Sequence, residues 1–280
     1  MALRHGLRIK PGEELGIDCD ASYSAIGDEN MTYSIVARDP STGHLGIAVA
    51  SRFFTVGARV PWVKGRVGAI ASQAFTNPTY GSDGLKMMEA GALPDDIITA
   101  LVGRDSGHPN RQLHMIDAQG RNAAYTGLQC IDWAGHKVAE NVSVAGNMLE
   151  GPQVVAETLR TYQAALDKPF AERLLLAMQA GEDAGGDKRG KQAAGLVIYR
   201  DQDYSWLDIR TDDHADPLAE LRRLYSIAQE RYIPYTELQP TRENPHGMLD
   251  RTAFDAEIAR IEAERAASGG QSASFAADKI

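Results

Sequence analysis

Hydrophobic and polar positions along the chain change their spacing repeatedly, and each change predicts an element. Residues 32–37 and 45–51 read as strands, with hairpin-turn chemistry between them in Asp39-Pro40-Ser41-Thr42-Gly43. A third strand, 67–72, is small and apolar enough to be buried on both faces. A short helix is expected near 84–90 with Leu85 and Met88 inward, and another from Pro94-Asp95-Asp96, carrying Ile97, Ile98 and Leu101. Strands follow at 112–116, 122–125 and 141–145. Helical spacing then returns twice, in Val155, Leu159, Tyr162 and Leu166, and in Phe170, Leu174 and Met178. A final strand pair, 192–199 and 204–209, precedes a helix opened by Pro217 with Leu218, Leu221, Leu224 and Ala228 on one face.

The order is strands, helices, strands, helices, strands, without a regular βα alternation. It disfavours a doubly wound parallel sheet and predicts two mostly antiparallel sheets with helices outside them. Residues 1–31 mix charge, Gly, Pro and Ser without period and are expected to be an N-terminal extension, either a mis-assigned start or a propeptide. Residues 32–232 form the expected domain. Residues 233–280 form a C-terminal extension, with one short amphipathic helix through Phe254, Ile258 and Ile261 and a disordered tail from 268.

Composition narrows the function classes. The chain of 280 residues is 43% hydrophobic, enough for a packed core, and its formal charge of −9 argues against a nucleic-acid partner. No run approaches the roughly 18 apolar residues of a membrane span, and no signal-peptide pattern is present, so no membrane partner and a cytoplasmic location are expected. Two cysteines are too few for a disulfide scaffold. The seven histidines are scattered without metal spacing, so neither metal nor cofactor is expected.

No nucleophile elbow, phosphate loop or zinc-protease motif occurs. Three segments remain as candidate chemistry. The loop through Gly185-Gly186-Asp187-Lys188-Arg189 either presents Asp187 and Arg189 to a pocket or merely connects a helix to a strand. Asn147, where a strand meets a helix, is either a turn residue or an amide offered to a ligand. Thr32 is either a plain strand residue or a nucleophile. Met31-Thr32 is a natural protein start, and removal of Met31 leaves a threonine whose hydroxyl attacks while its own α-amine serves as base.

The run from Thr32 to Pro40, then Gly46-Ile47-Ala48-Val49-Ala50-Ser51, resembles the first hairpin of N-terminal-nucleophile (Ntn) hydrolases. More closely, the stretch from Met31 to about Tyr225 resembles domain-of-unknown-function family 1028, placed in that superfamily. The matching runs include Val60-Pro61-Trp62, Val67 to Ala74, Tyr80-Gly81, Trp133-Ala134-Gly135, Gly146-Asn147-Met148-Leu149 and Ala184 to Gln192. The resemblance implies an α+β fold, a four-layer αββα sandwich, with the active site where the first strand's N-terminus lies between the sheets, and a homo-oligomer.

The function expected is an amidohydrolase cleaving a small amide or acyl-amino compound. Its catalytic residues are Thr32, Lys64, Asn147 and Asp187, with Ser72, Gln73 and Arg189 around the substrate. Asn147 and backbone N–H groups near Ser72 or Gln73 are the expected oxyanion donors. Lys64, 32 residues beyond Thr32, stands at the separation of the active-site lysine of proteasome-like relatives; otherwise it is a solvated loop lysine. Asp187 and Arg189 orient the nucleophile, bind a substrate carboxylate, or pair with each other to close the loop. The alternative is a catalytically inactive Ntn-fold module binding a peptide or small molecule, because an internal Thr32 has no free amine.

Overall fold

The computed structural model describes residues 32–269 and 271–276. The expectations for 1–31 and for 277–280 lie outside the described residues. The strands form two antiparallel sheets. The larger holds β1 (Thr32–Arg38), β2 (Leu45–Ser51), β7 (Trp133–Ala139), β8 (Val142–Leu149), β9 (Ala193–Tyr199) and β10 (Leu207–Thr211), in the order β10-β9-β2-β1-β8-β7. The smaller holds β3 (Pro61–Lys64), β4 (Gly68–Ala74), β5 (Arg111–Asp117) and β6 (Asn122–Thr126), in that order. β1 is central: Tyr33 pairs with Ala50 on one side and Gly146 on the other.

Period-two alternation sorts β1 between two apolar clusters. Tyr33, Ile35 and Ala37 pack with Val154, Tyr162, Leu174 and Met178 of helices α4 (Pro152–Ala164) and α5 (Phe170–Asp183), and with Leu218 and Leu221 of α6 (Pro217–Ile227). Val36 points the other way and packs with Ile47, Val49, Ala69, Ala71 and Ile116, drawn from both sheets. A third cluster joins Ile70, Leu113 and Met115 of the small sheet to Tyr80, Leu85, Met88, Ile97 and Leu101 of α2 (Pro78–Glu89) and α3 (Pro94–Gly103). β1, β2, β4, β5, β8 and β9 are buried almost throughout because each is covered on both faces.

Several elements differ from the sequence pattern. α2 begins six residues earlier than the periodicity suggests, because the Asn77 side chain caps it by accepting from the Thr79 N–H and Pro78 occupies its first turn. β3 is too short at four residues to register as a strand, and β7 interrupts its apolar positions with Gly, His and Lys; both are sheet edges. Leu166 lies beyond α4 and is exposed, while Thr158 takes its place on the buried face. The C-terminal helix α8 (Arg251–Ala267) runs for 17 residues. Beyond it, segment 271–276, expected to be a disordered tail, folds back. Ser272 and Ala273 donate to the Glu230 carboxylate, and Arg223 Nη1 donates to the Ala273 carbonyl at 2.7 Å.

Gly81 of α2 seats the helix on β3: a Cβ there meets the Trp62 ring at 2.1–2.3 Å. Alanine at an open helix position gains about 1 kcal/mol over glycine, whereas forcing a methyl into a packed contact costs about 1–3 kcal/mol. Overpacking wins, so Gly81→Ala is expected to lower stability by about 1–2 kcal/mol in urea denaturation. An unchanged or raised midpoint would show that the Trp62 contact is slack.

Candidate active site

Thr32 opens β1, is 3% exposed, and stands in register with Asn147 of β8. Its Oγ1 donates to Ser51 Oγ, at the end of β2, at 3.2 Å. Its carbonyl accepts from two carboxamides, Asn147 Nδ2 at 3.4 Å and Gln73 Nε2 at 3.5 Å. Thr32, Ser34, Ser51, Gln73, Gln112, His114, Ser143 and Asn147 all lie on the inward faces of their strands and are buried. They make a polar seam beside the apolar Val36–Ile47–Ile116 cluster.

Donor and acceptor identities fix the direction of the bonds that run from Gln112 to His114. Gln73 Nε2 and Asn147 Nδ2 both donate to Gln112 Oε1, at 2.8 and 3.0 Å. Gln73 Oε1 can only accept, so the Ser34 hydroxyl donates to it at 2.5 Å. Ser34 Oγ then accepts from His114 Nε2 at 2.8 Å, and His114 Nδ1 accepts from Ser143 Oγ at 3.0 Å. His114 is thereby the neutral Nε2–H tautomer. Burial, with His136 nearby adding to it, pushes its pKa down to about 3. Gln112 Nε2 continues outward to the Gly146 carbonyl at 2.8 Å and to Thr126 Oγ1 at 2.9 Å, whose hydroxyl meets His136 Nδ1 at 2.8 Å.

Backbone strain brackets the seam. Ala74, after Gln73, has φ 62°, and Met148, after Asn147, has φ 53°. Left-handed non-glycine residues persist only where surrounding structure holds them. Here Phe75 N–H donates to the Asn110 carbonyl and Met148 N–H to the Ile131 carbonyl.

The loop after α5 closes the same end of the sheet. Gly186 turns it at φ 53°, and Asp187 bridges to Leu149. The Asp187 carboxylate accepts from the Arg52 N–H at 2.8 Å and the Arg189 N–H at 2.9 Å, and Arg189 Nη2 lies 3.3 Å from it. Asp187 and Arg189 therefore do pair with each other. Asp187 also clamps the backbone immediately after Ser51, the residue that accepts from the Thr32 hydroxyl.

Two expected site residues are not brought to Thr32. Lys64 sits beside Gly68, at the end of β4 opposite Gln73, about 16 Å along the strand. Its ammonium pairs with Glu89 at 2.6 Å near the surface. Ser72 alternates away from Gln73: its Oγ donates to the Asn77 carbonyl, and its backbone N–H donates to the Val60 carbonyl at 3.2 Å, so that amide is not a free oxyanion donor. Gln73 reaches the site through its side chain instead.

Residues 32–221 match the model of a family described as a family of unknown function, DUF1028. The chain belongs to the DUF1028 family. The crystal structure of protein SPO2555 from Silicibacter pomeroyi, itself assigned to DUF1028, is similar at 31% identity and TM-score 0.74, over 79% of this chain and 96% of that one. Anbu (ancestral beta-subunit) from Yersinia bercovieri is matched at 12% identity and TM-score 0.37, over 69% of this chain and 92% of that one. No curated protein matches.

In this DUF1028 chain, the seam residues that pattern reading misses are Ser34, Ser51, Gln112, His114 and Ser143. One signal was available. Gln112 and His114 occupy alternate positions of an otherwise apolar strand, and Thr32 and Ser34 do the same in β1. Polar residues at period two inside apolar strands mark an interface with its own hydrogen bonds. Among the described residues no group of His, Cys, Asp and Glu is arranged to hold a metal ion. No helix among them is long and apolar enough to cross a membrane.

The seam makes stability depend on pH. His114 binds a proton near pH 6.5 when unfolded but only near 3 when folded, so folding stability is complete above about 6.5 and falls as pH drops toward 3. At pH 5 the loss is about 2 kcal/mol. Urea denaturation at pH 7.5 and 5.0 should give this loss in the native sequence, with most of it absent in His114→Gln. Equal losses in the two proteins would place the acid sensitivity elsewhere.

Proposed function

We propose that this protein is an Ntn-type amidohydrolase, built as a four-layer αββα sandwich, that cleaves a small amide or acyl-amino compound with Thr32 as its N-terminal nucleophile. The layering is supported by the three apolar clusters: one under α4–α6, one between the sheets, one under α2–α3. The observation that carries the activity is the setting of Thr32. A buried hydroxyl heads the central strand, bonded to Ser51, with its own carbonyl gripped by Gln73 and Asn147.

The mechanism requires cleavage between Met31 and Thr32, because a peptide nitrogen has no basic lone pair. The freed amine takes the proton as Thr32 Oγ1 attacks the substrate carbonyl. The tetrahedral oxyanion collapses to a threonine ester and expels the amine product, which leaves with that proton. Water, deprotonated by the same α-amine, then releases the acid. Asn147 Nδ2 supports the oxyanion once it exchanges its long 3.4 Å bond to the Thr32 carbonyl for the substrate. Ser51 holds the hydroxyl, Asp187 holds the strand end that carries Ser51, and Arg189 offers a cation to a substrate carboxylate. Neither cofactor nor metal has a part in this reading, and the working form is a cytoplasmic homo-oligomer.

Protein produced from its native gene and upstream region should begin at Thr32, lighter by the first 31 residues in intact-mass measurement. An acylating amide probe should leave a single adduct on Thr32, and Thr32→Ala should lower turnover by at least about a thousandfold. Lys64→Ala should leave acylation unchanged and cost at most about 1 kcal/mol of stability, as a surface ion pair does. A chain that retains Met31, forms no adduct and is stabilised by amides without product would be a binding module instead.

A further inference from the structure

At the opposite end of β1, about 23 Å from Thr32 along the strand, lies a cavity of about 440 Å³. Its walls are the β1–β2 turn, the α4–α5 connection, the first turn of α5, the β9–β10 turn and one face of α6. Arg173 of α5 lines it and is only 3% exposed. One guanidinium nitrogen, Nη2, donates to the Lys168 carbonyl at 3.2 Å and lies 3.5 Å from Asp39 Oδ2; Nε and Nη1 are buried without a well-formed hydrogen bond, with the Tyr162 ring and hydroxyl beside the guanidinium. Trp206 Nε1 and Arg200 Nε, on two further lining residues, are buried without an acceptor as well.

All four of these atoms are donors. Buried donors without partners destabilise a fold until something accepts from them, and an ionised oxygen is the strongest acceptor. The charges around the cavity balance: Lys168 and Arg173 face it against Asp167 and Asp39, and Arg200 pairs with Glu237 at 2.7 Å, so the free donors rather than a net charge call for an acceptor. Asp39 is already engaged, accepting from the Ser41 N–H and hydroxyl. His44, also lining, is held neutral by burial and by Arg200. The N-terminus of the 14-residue α5, which has no side-chain cap, adds its partial positive charge at the same wall.

The rest of the wall is apolar and aromatic. Arg173 lies over the Phe170 ring at 5.5 Å, Arg200 lies over Trp206 at 4.2 Å, and Tyr225 closes the α6 side. The volume falls in the usual range for small-molecule sites. We propose that this cavity is a second ligand site that takes a small monocarboxylate with an aromatic or branched apolar body, its carboxylate on Arg173 and the Trp206 indole N–H. The site stands whether or not Thr32 is catalytic.

Benzoate is the probe, benzamide its neutral isostere, and the full chain the protein. Calorimetric titration at pH 7.5 should give saturable, one-to-one binding of benzoate, at least about tenfold tighter than benzamide. Benzoate should also raise the melting temperature. Arg173→Met, checked for fold by circular dichroism, should weaken benzoate by about tenfold or more, and Trp206→Phe, which keeps the bulk, by about threefold. Thr32→Ala should leave the binding unchanged. Equal affinity for benzoate and benzamide, no binding at millimolar concentration, or full affinity in Trp206→Phe together with a folded Arg173→Met would overturn the proposal. Should Arg173→Met not fold, the benzoate–benzamide comparison and Trp206→Phe decide alone.

Discussion

Two sheets can face each other across polar side chains only if every donor and acceptor between them is closed. The carboxamide of Gln112 is where that closure happens. Its oxygen accepts from Gln73 of the small sheet and Asn147 of the large one, and its nitrogen reaches the Gly146 carbonyl and Thr126. One side chain thus ties β4, β5, β6 and β8 together. Replacing it with an apolar residue removes the acceptor that Gln73 and Asn147 share and leaves them only their longer bonds to backbone carbonyls, at a cost of about 1–3 kcal/mol. The neutral tautomer of His114, the orientation of Ser34 and the grip on the Thr32 carbonyl all follow from the direction that Gln112 imposes.

The division of labour between the two halves of the inter-sheet layer explains where reactivity can sit. Val36, Ile47, Val49 and Ile116 hold the sheets together by burial, so the polar half is spared that task. Tyr33, on the other face of β1, pins the strand from behind: its hydroxyl donates to the Met178 carbonyl at 3.0 Å and meets Glu182 at 3.1 Å. Burial and the Glu182 carboxylate keep that phenol protonated. Thr32, one residue earlier, is therefore positioned by a helix it does not touch.

The apolar framework was legible because period two and period 3.6 are direct images of packing. β1 was legible as a strand, and the faces of α2, α3 and α5 were legible from residues such as Leu85, Ile97 and Met178. Two of the four edge strands, β3 and β7, were not legible: Trp133 to Ala139 carries Gly, His and Lys on a half-solvated ribbon and lacks the alternation of a buried strand. In the site, Thr32, Asn147, Gln73 and the Asp187 loop could be picked out. His114 and Gln112 could not, because a single sequence does not say which polar residue on an apolar strand meets which. Lys64 carries the complementary lesson. A separation along the chain fixes no position in space, and the turn between β3 and β4 directs this lysine to Glu89.

Both ends of β1 carry exchangeable side-chain hydrogen bonds, and the middle does not, for one physical reason. Through the middle of a central strand, the backbone is committed to β2 and β8 on either side, and each face is closed, by apolar packing under the helices and by Val36 and the internally bonded Ser34 between the sheets. No ligand enters without breaking that commitment. At the ends the burden passes to side chains: Gln73 and Asn147 hold the Thr32 carbonyl at one end, and Ser41 and Arg173 hold the Asp39 carboxylate at the other. Side-chain bonds can be exchanged for bonds to a ligand at the cost of a rotamer, whereas ladder bonds cannot. The core of this protein makes β1 rigid, and the rigidity lets the side chains at its ends be the parts that trade partners.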